Sequence, residues 1–233
     1  MLRKSTNAGR RSAVMTGVLL IAGLVTGMLS VVPVIDGAEY LVKASANENQ
    51  VLLGAFFQLF MIVSYVGIPI LLYPVLSKHN KGLALGSVAF GIIAGVFIIL
   101  GVITLLLLLT ISHEFAKVGA LHVSYFQTLG GLLREGRDLV NHVATTLAFV
   151  LAMFLFTYIF YQTKLVPRWL SVWGLIGSTL SILASLLFMI RFIGLDTAYM
   201  MLNIPIAFQQ LVLAIWLIMK GFTPTEQDSI RTG

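Results

Sequence analysis

The chain has no cysteine. That excludes disulfides, thiolate metal sites and a cysteine nucleophile. Charge is scarce as well: Asp, Glu, Lys and Arg make up 10% of the 233 residues, and nine residues are acidic. A soluble domain carries about 25% charged residues. Signature loops are missing too. There is no G-x-x-x-x-G-K-[ST] stretch, no G-x-G-x-x-G and no G-x-S-x-G elbow, so the phosphate-loop, dinucleotide and hydrolase patterns are absent. No apolar run carries the repeated arginines of a voltage sensor. No polar stretch is long enough for a soluble catalytic domain.

Apolar residues dominate instead, at 58%, with a mean hydropathy of +0.98. A soluble fold of this size lacks the interior volume to hide so much apolar surface. The bilayer is the natural solvent. A spanning helix takes about 20 apolar residues to cross a core of about 30 Å. Six such runs are present, at 13–35, 50–76, 83–112, 139–162, 169–190 and 203–220. The expected fold is therefore all-α, a polytopic integral membrane protein with a bundle of about six transmembrane helices. Residues 1–12 form a basic N-terminal segment, 13–220 the membrane domain with a long link at 113–138, and 221–233 a C-terminal tail. The third run is long, so it tilts or extends past the membrane at one end.

The start, "MLRKSTNAGRRSAVMTGVLLIAGLVTGMLS", has a rival reading as a signal peptide, and Arg10-Arg11 hints at a twin-arginine signal. Its apolar run exceeds the about 7–15 residues of a signal core, and no clear A-x-A site comes after it. A retained helix is the expectation.

Positive charge orients such a bundle. With the N-terminus in the cytoplasm, the inner segments carry Arg3, Lys4, Arg10, Arg11, Lys78, Lys81, Lys164, Arg168, Lys220 and Arg231. The outer segments carry only Lys43, Lys117, Arg134, Arg137 and Arg191. Most of the outer five have an acid close by in sequence: Glu114, Glu135, Asp138 or Asp196. Both termini are expected to be cytoplasmic, in the cell membrane. The net charge of +6 belongs to this asymmetry and implies no nucleic-acid partner.

Small residues recur four apart: Gly23 and Gly27, Gly82 and Gly86, Gly91 and Gly95, Ser181 and Ser185. Such pairs let helix backbones approach closely in lipid. Packing within the bundle is the default reading and a homo-oligomer face the alternative. Gln58, Tyr65, Tyr158, Asn203, Gln209 and Gln210 are polar within apolar runs, where interhelical hydrogen bonding is their usual role. Pro69 is the proline best placed to kink a helix, since Pro74 and Pro205 lie near helix ends.

One stretch gathers the remaining chemistry. In "LLREGRDLVNHV", residues 132–143, charge opens an almost wholly apolar segment. Residues four apart share a helix face, so Arg134, Asp138 and His142 stack, and Arg137 pairs in position with Asn141. Asp138 is poised to pair with Arg134 and to accept from His142. Glu114 and His113 end the third run on the same side, and His122 lies in the link after it. Two readings compete: an outward-facing polar pocket lined by Glu114, Arg134, Arg137, Asp138, Asn141 and His142, or a helix start whose arginines reach the headgroups. Gly130-Gly131, just before it, reads as a turn. "HEFAKVGALH" lacks the H-E-x-x-H spacing of a zinc site, so no metal or other cofactor is expected, and no residue is assigned a catalytic role.

The wording of three stretches goes further. "SANENQVLLGAFFQLFMIVSYVGIPILLYPVLSKHNKGLALG" (45–86), "SYFQTLGGLLREGRDLVNHV" (124–143) and "KLVPRWLSVWGLIGSTLSILASLL" (164–187) resemble the bacterial and archaeal membrane family catalogued as domain of unknown function 4386. The likeness runs from about residue 10 to about residue 222. It implies a small multi-pass membrane protein and supplies no reaction and no catalytic residues.

The function expected first is non-enzymatic: binding of a small molecule, a lipid or a protein partner through the outer pocket. A permease-like passage using Pro69 and the polar groups of runs two, four and six is the first alternative. An intramembrane enzyme with His142 as base and Asp138 orienting it is the second.

Overall fold

The structure is a computed structural model that describes residues 2–117 and 123–223, with side chains from residue 9. It is 88% helix, with no strand among the described residues. In order come α1 (Leu2–Leu29), α2 (Pro33–Asp36), α3 (Tyr40–Ala46), α4 (Glu48–Leu76), α5 (Lys81–Lys117) and α6 (Val123–Leu139). A π-helical segment (Val140–Thr145) then leads without a break into α7 (Thr146–Thr163), followed by α8 (Arg168–Met189) and α9 (Thr197–Met219). Six helices are long and apolar enough to cross a membrane: Gly9–Leu29 of α1, α4, α5, the continuous Val123–Thr163, α8 and α9. The chain is a multi-pass membrane bundle, as expected.

The ends differ from the hydropathy reading for local reasons. The first span stops at Leu29 rather than 35 because Pro33 opens a separate short helix, α2, and proline, which lacks an N–H, cannot continue the ladder. The last span starts at Thr197 rather than 203. Asp196 caps it, accepting from the N–H groups of Ala198 at 2.9 Å and Tyr199 at 3.4 Å, and satisfies donors that a helix start leaves orphaned. The long α5 has 37 residues, about 55 Å at about 1.5 Å each, and so outruns the hydrocarbon core. Gly130 and Gly131 form no turn; both lie inside α6. A Cβ at Gly130 would stand 2.8 Å from Leu41 Cδ2 and 2.9 Å from Tyr40 Oη. Its missing side chain serves close packing of α6 on α3.

The six spans close a ring. Going round, α5 packs on α4, α4 on α1, α1 on α9, α9 on α8, α8 on α7, and α7 back on α5. The short links Ser77–Asn80 and Lys164–Pro167 make α4/α5 and α7/α8 neighbours, as expected. Across the ring, Tyr65 of α4 stacks on Phe149 of α7, with centroids 3.6 Å apart. Large apolar side chains such as Phe56, Ile103 and Phe208 point outward, while Ser64, Ser87, Ser178, Ser181 and Ser185 are buried. That inversion suits lipid as solvent, where small residues bring helices together.

Small residues close two helix contacts. A Cβ at Gly17 of α1 would lie 2.7 Å from the Ala214 carbonyl of α9. At Gly91 of α5 it would lie 2.6 Å from Pro69 Cγ and 2.9 Å from the Tyr65 carbonyl, which Pro69 cannot bond because it has no N–H. The glycine pairs thus face into the bundle at Gly23, against Ser64, and at Gly91 and Gly95, against α4.

The ends of the ring are unlike. One end, the cap, carries α2, α3, α6 and the link between α8 and α9. It holds all seven described acids. The far end holds Arg10, Arg11, Lys78, Lys81, Lys164, Arg168 and Lys220, with no acid among the described residues. There Arg168 lies over the Tyr161 ring and Lys220 over the Trp216 ring, and Trp169 stacks on Trp173, a pattern of interfacial anchors.

Candidate functional site: the charged cap and an interhelical cleft

Arg134 and Arg137 both leave α6 toward the turn that joins α2 to α3. Arg134 donates to the backbone carbonyls of Asp36 at 2.6 Å and Gly37 at 3.2 Å, and its guanidinium lies 5.5 Å from the Tyr40 ring centre. Arg137 is buried and meets Asp36 Oδ1 at 3.4 Å and Asp138 Oδ1 at 3.3 Å. Tyr40 donates to the Gln127 carbonyl at 3.3 Å. Burial pushes its phenol up, with Arg134 partly offsetting this, so it stays a donor. Glu135 pairs with Arg191 of the next link. Ser112 of α5 donates to the Leu41 carbonyl at 2.5 Å and accepts from the Ser45 N–H at 2.8 Å. The cap is thus laced together by its own groups.

The expected stack of Arg134, Asp138 and His142 does not form as one unit. Asp138 pairs with its neighbour Arg137, not with Arg134. Arg134 and Asp138 share the unbroken α6, but Arg134 is drawn to the Asp36 and Gly37 carbonyls. His142 leaves their face because a π segment begins at Val140. Each residue added to a turn rotates the remainder of the helix by about 100°, so faces counted at four-residue spacing part there. His142 turns toward α8 and α9, its ring edge-to-face with Tyr199 at 5.3 Å and near Phe188 at 6.2 Å. Asn141 turns toward α5, where its amide oxygen occupies the space left by Gly101. The widened turn frees backbone oxygens, and side chains satisfy them. Ser185 and Tyr199 donate to the His142 carbonyl at 2.8 and 3.2 Å, and Thr146 donates to the Asn141 carbonyl at 3.1 Å.

The other candidates stand apart. Glu114 pairs with Lys117 at 2.8 Å, and His113 faces Glu48 at 3.4 Å. His122 lies outside the described residues, as does Arg231 of the tail. Among the described residues no group of three His, Asp or Glu side chains is close enough to hold a metal ion.

A second feature lies below the cap, inside the ring. Side chains of α1, α4, α7, α8 and α9 line a half-open cleft of about 370 Å³. Leu20, Gly23 and Gly27 form one wall, Ile206 and Ala207 another. Polar groups reach it from four helices: Ser64 and Tyr65, Thr146, Ser181, and Asn203 with Gln210. Ser181 donates to Asn203 Oδ1 at 2.5 Å, and Asn203 Nδ2 to the Tyr199 carbonyl at 2.9 Å. Thr146 is shared between the cleft wall and the π segment. No charged side chain lines the cleft.

Sequence reasoning marked Tyr65, Asn203 and Gln210 as polar groups within spans, and Ser181 as a packing residue. It passed over Ser64 and Thr146, because a lone hydroxyl in an apolar run carries no signal of what it faces. It also passed over Asp36, Gly37 and Tyr40. Their partners are about a hundred residues away in sequence, and only the proximity of Pro33 marks that link as unusual.

No curated protein and no solved structure matches the chain. One family model, Domain of unknown function (DUF4386), matches residues 15–221. That match spans the ring, the cap and the cleft alike, and the chain belongs to this family.

Proposed function

We propose that the protein is a non-catalytic binding protein of the membrane, holding a small molecule or lipid in the cleft among α1, α4, α7, α8 and α9. One observation carries this reading: a space of about 370 Å³ inside the bundle, with polar groups from four helices turned into it. Packed interiors hold few voids larger than a water, and ligand pockets run from about 300 to 1,000 Å³. The cap residues Arg134, Arg137 and Asp138 then act as fasteners of the cleft's roof, and the ligand sits deeper than the outer pocket expected from sequence. The excess of cations at the far end supports a cytoplasmic placement of that end, with the cap outside.

The alternatives have less support. A passage would continue toward the far end, where Leu20, Ile68, Phe156, Leu213 and Leu217 are fully buried and fill the interior. A base at His142 needs an orienting carboxylate, and Asp138 is engaged by Arg137 instead.

Gly27→Leu tests the reading. A Cβ at Gly27 meets nothing nearer than Met61 Cε at 4.0 Å, so the added side chain enters the cleft without displacing a helix. Native mass spectrometry of the protein extracted in mild detergent should show a bound non-protein mass in the parent and its loss in Gly27→Leu. The same bound masses in both proteins would overturn the reading.

A further inference from the structure

We infer that the cleft takes an uncharged amphiphile, one whose hydroxyl or carbonyl head is received by Ser64 and Tyr65 and which enters sideways from the bilayer between α1 and α9. This rests on the binding reading above and names the ligand's class and its route.

The route is set by how α1 and α9 meet. They run antiparallel and are pinned together toward the far end. Gly17 abuts the Ala214 carbonyl there, and Arg10 donates to the carbonyls of Leu217, Ile218 and Met219 at 3.4, 2.7 and 3.2 Å, closing the C-terminus of α9. Toward the cap, Leu24 and Gly27 of α1 and Asn203 and Ala207 of α9 line the cleft. Gly23 and Gly27 face α4, where a Cβ would stand 3.1 Å from Ser64 Cβ and 4.0 Å from Met61 Cε, and Met28 and Val31, which also line the cleft, stand 77% and 58% exposed. The mouth is therefore flanked by lipid-facing apolar side chains, and an apolar tail remains in hydrocarbon while the head passes inward.

The head's chemistry is set by the lining. Ser64 is 2% exposed, and its hydroxyl makes no hydrogen bond among the described residues. The Tyr65 hydroxyl is likewise without a partner among them, although its ring is fixed by the stack on Phe149. Polar groups at this depth have no water to satisfy them, so an unpaired hydroxyl is costly. Both hydroxyls sit on adjacent residues of α4 and offer donors to an incoming oxygen. Gln210 uses its amide N–H toward Met153 Sδ at 3.0 Å, which leaves its carbonyl oxygen as an acceptor for a hydroxyl head. With no charged side chain in the lining, an ionised head would have no counter-charge, and an unpaired charge at membrane depth is strongly disfavoured.

A matched pair of probes tests this. Diazirine-bearing hexadecanol and diazirine-bearing hexadecyl sulfate share a tail and differ in head charge. With the protein in phosphatidylcholine vesicles, ultraviolet crosslinking is followed by peptide mapping of α1, α4 and α9. The alcohol should label cleft-lining peptides at least about tenfold more than the sulfate does. Gly27→Leu should remove that excess, and Ser64→Ala should reduce it while leaving the fold and the cleft volume in place. Equal or stronger cleft labelling by the sulfate would overturn the neutral-head assignment while leaving the binding reading intact. Alcohol labelling of the cleft that Ser64→Ala and Tyr65→Phe together leave unchanged would overturn the role of the two hydroxyls. If neither probe labels the cleft above the Gly27→Leu background, both this inference and the binding reading fail.

Discussion

Arg137 is the only charged side chain that is buried among the described residues. It separates Asp36 from Asp138 and bonds both. Removing it leaves two carboxylates facing each other under the cap. Because Asp36 is itself half exposed, solvent screens part of the loss. Arg137→Ala should then cost about 1–3 kcal/mol, the range for hydrogen bonds to charged groups and for unpaired polar groups. Thermal unfolding in detergent would read this, and a midpoint equal to the parent's would show that the pairing contributes nothing. Asp36→Asn should cost less, since Arg137 keeps Asp138. Gly130 gives a second residue-scale prediction. Gly130→Ala pushes a methyl group into Tyr40 Oη and Leu41 Cδ2 and should destabilise by about 1–3 kcal/mol. In a Tyr40→Phe background the same change should cost less, because the hydroxyl it meets is gone. An undiminished cost there would mean that the strain lies elsewhere.

At the scale of elements, the π segment is the feature that sequence spacing alone misreads. Four-residue counting assumes one unbroken α-helix from Arg134 to His142. The extra residue in the turn takes His142 off the face that carries Arg134 and Asp138 and turns it toward Tyr199 and Phe188. Nothing in "VNHVAT" announces this, because the turn is held by hydroxyls from Ser185 and Tyr199, which lie on other helices. The two donors share one carbonyl, which leads to a specific expectation. Ser185→Ala or Tyr199→Phe alone should cost about 0.5–1.5 kcal/mol. The double variant should cost more than the sum, since only then is the buried carbonyl left with no side-chain donor. Strict additivity in the thermal midpoints would show that the carbonyl needs neither. The helix ends teach the converse lesson. Asp196 and Pro33 are local signals, and the boundaries they set are legible once capping is weighed beside hydropathy.

For the whole molecule, charge is sorted by end. Every cation of the cap is tied to an acid or to a backbone carbonyl, whereas the far end carries cations with no described acid near them. The absence of native cysteine makes the arrangement easy to test. Single cysteines at Asn47, in the cap, and at His79, at the far end, should differ in intact cells. A membrane-impermeant maleimide should label Asn47→Cys and reach His79→Cys only after the membrane is broken. The reverse pattern would invert the proposed orientation. Closing the ring also decides the cleft, since its five walls are brought together only when α1 meets α9.

The sequence by itself determined the solvent, the number of spans, the family and the charge asymmetry. These depend on composition and on runs of about 20 residues, which need no knowledge of neighbours. It also marked Arg134, Arg137 and Asp138 as unusual. Only the tertiary structure decided what they do, because their partners in the α2–α3 turn are remote in sequence. Only it revealed the cleft, which no single helix contains. A cavity is the space that several helices leave between them, and hydroxyls such as Ser64 acquire a role from what they face.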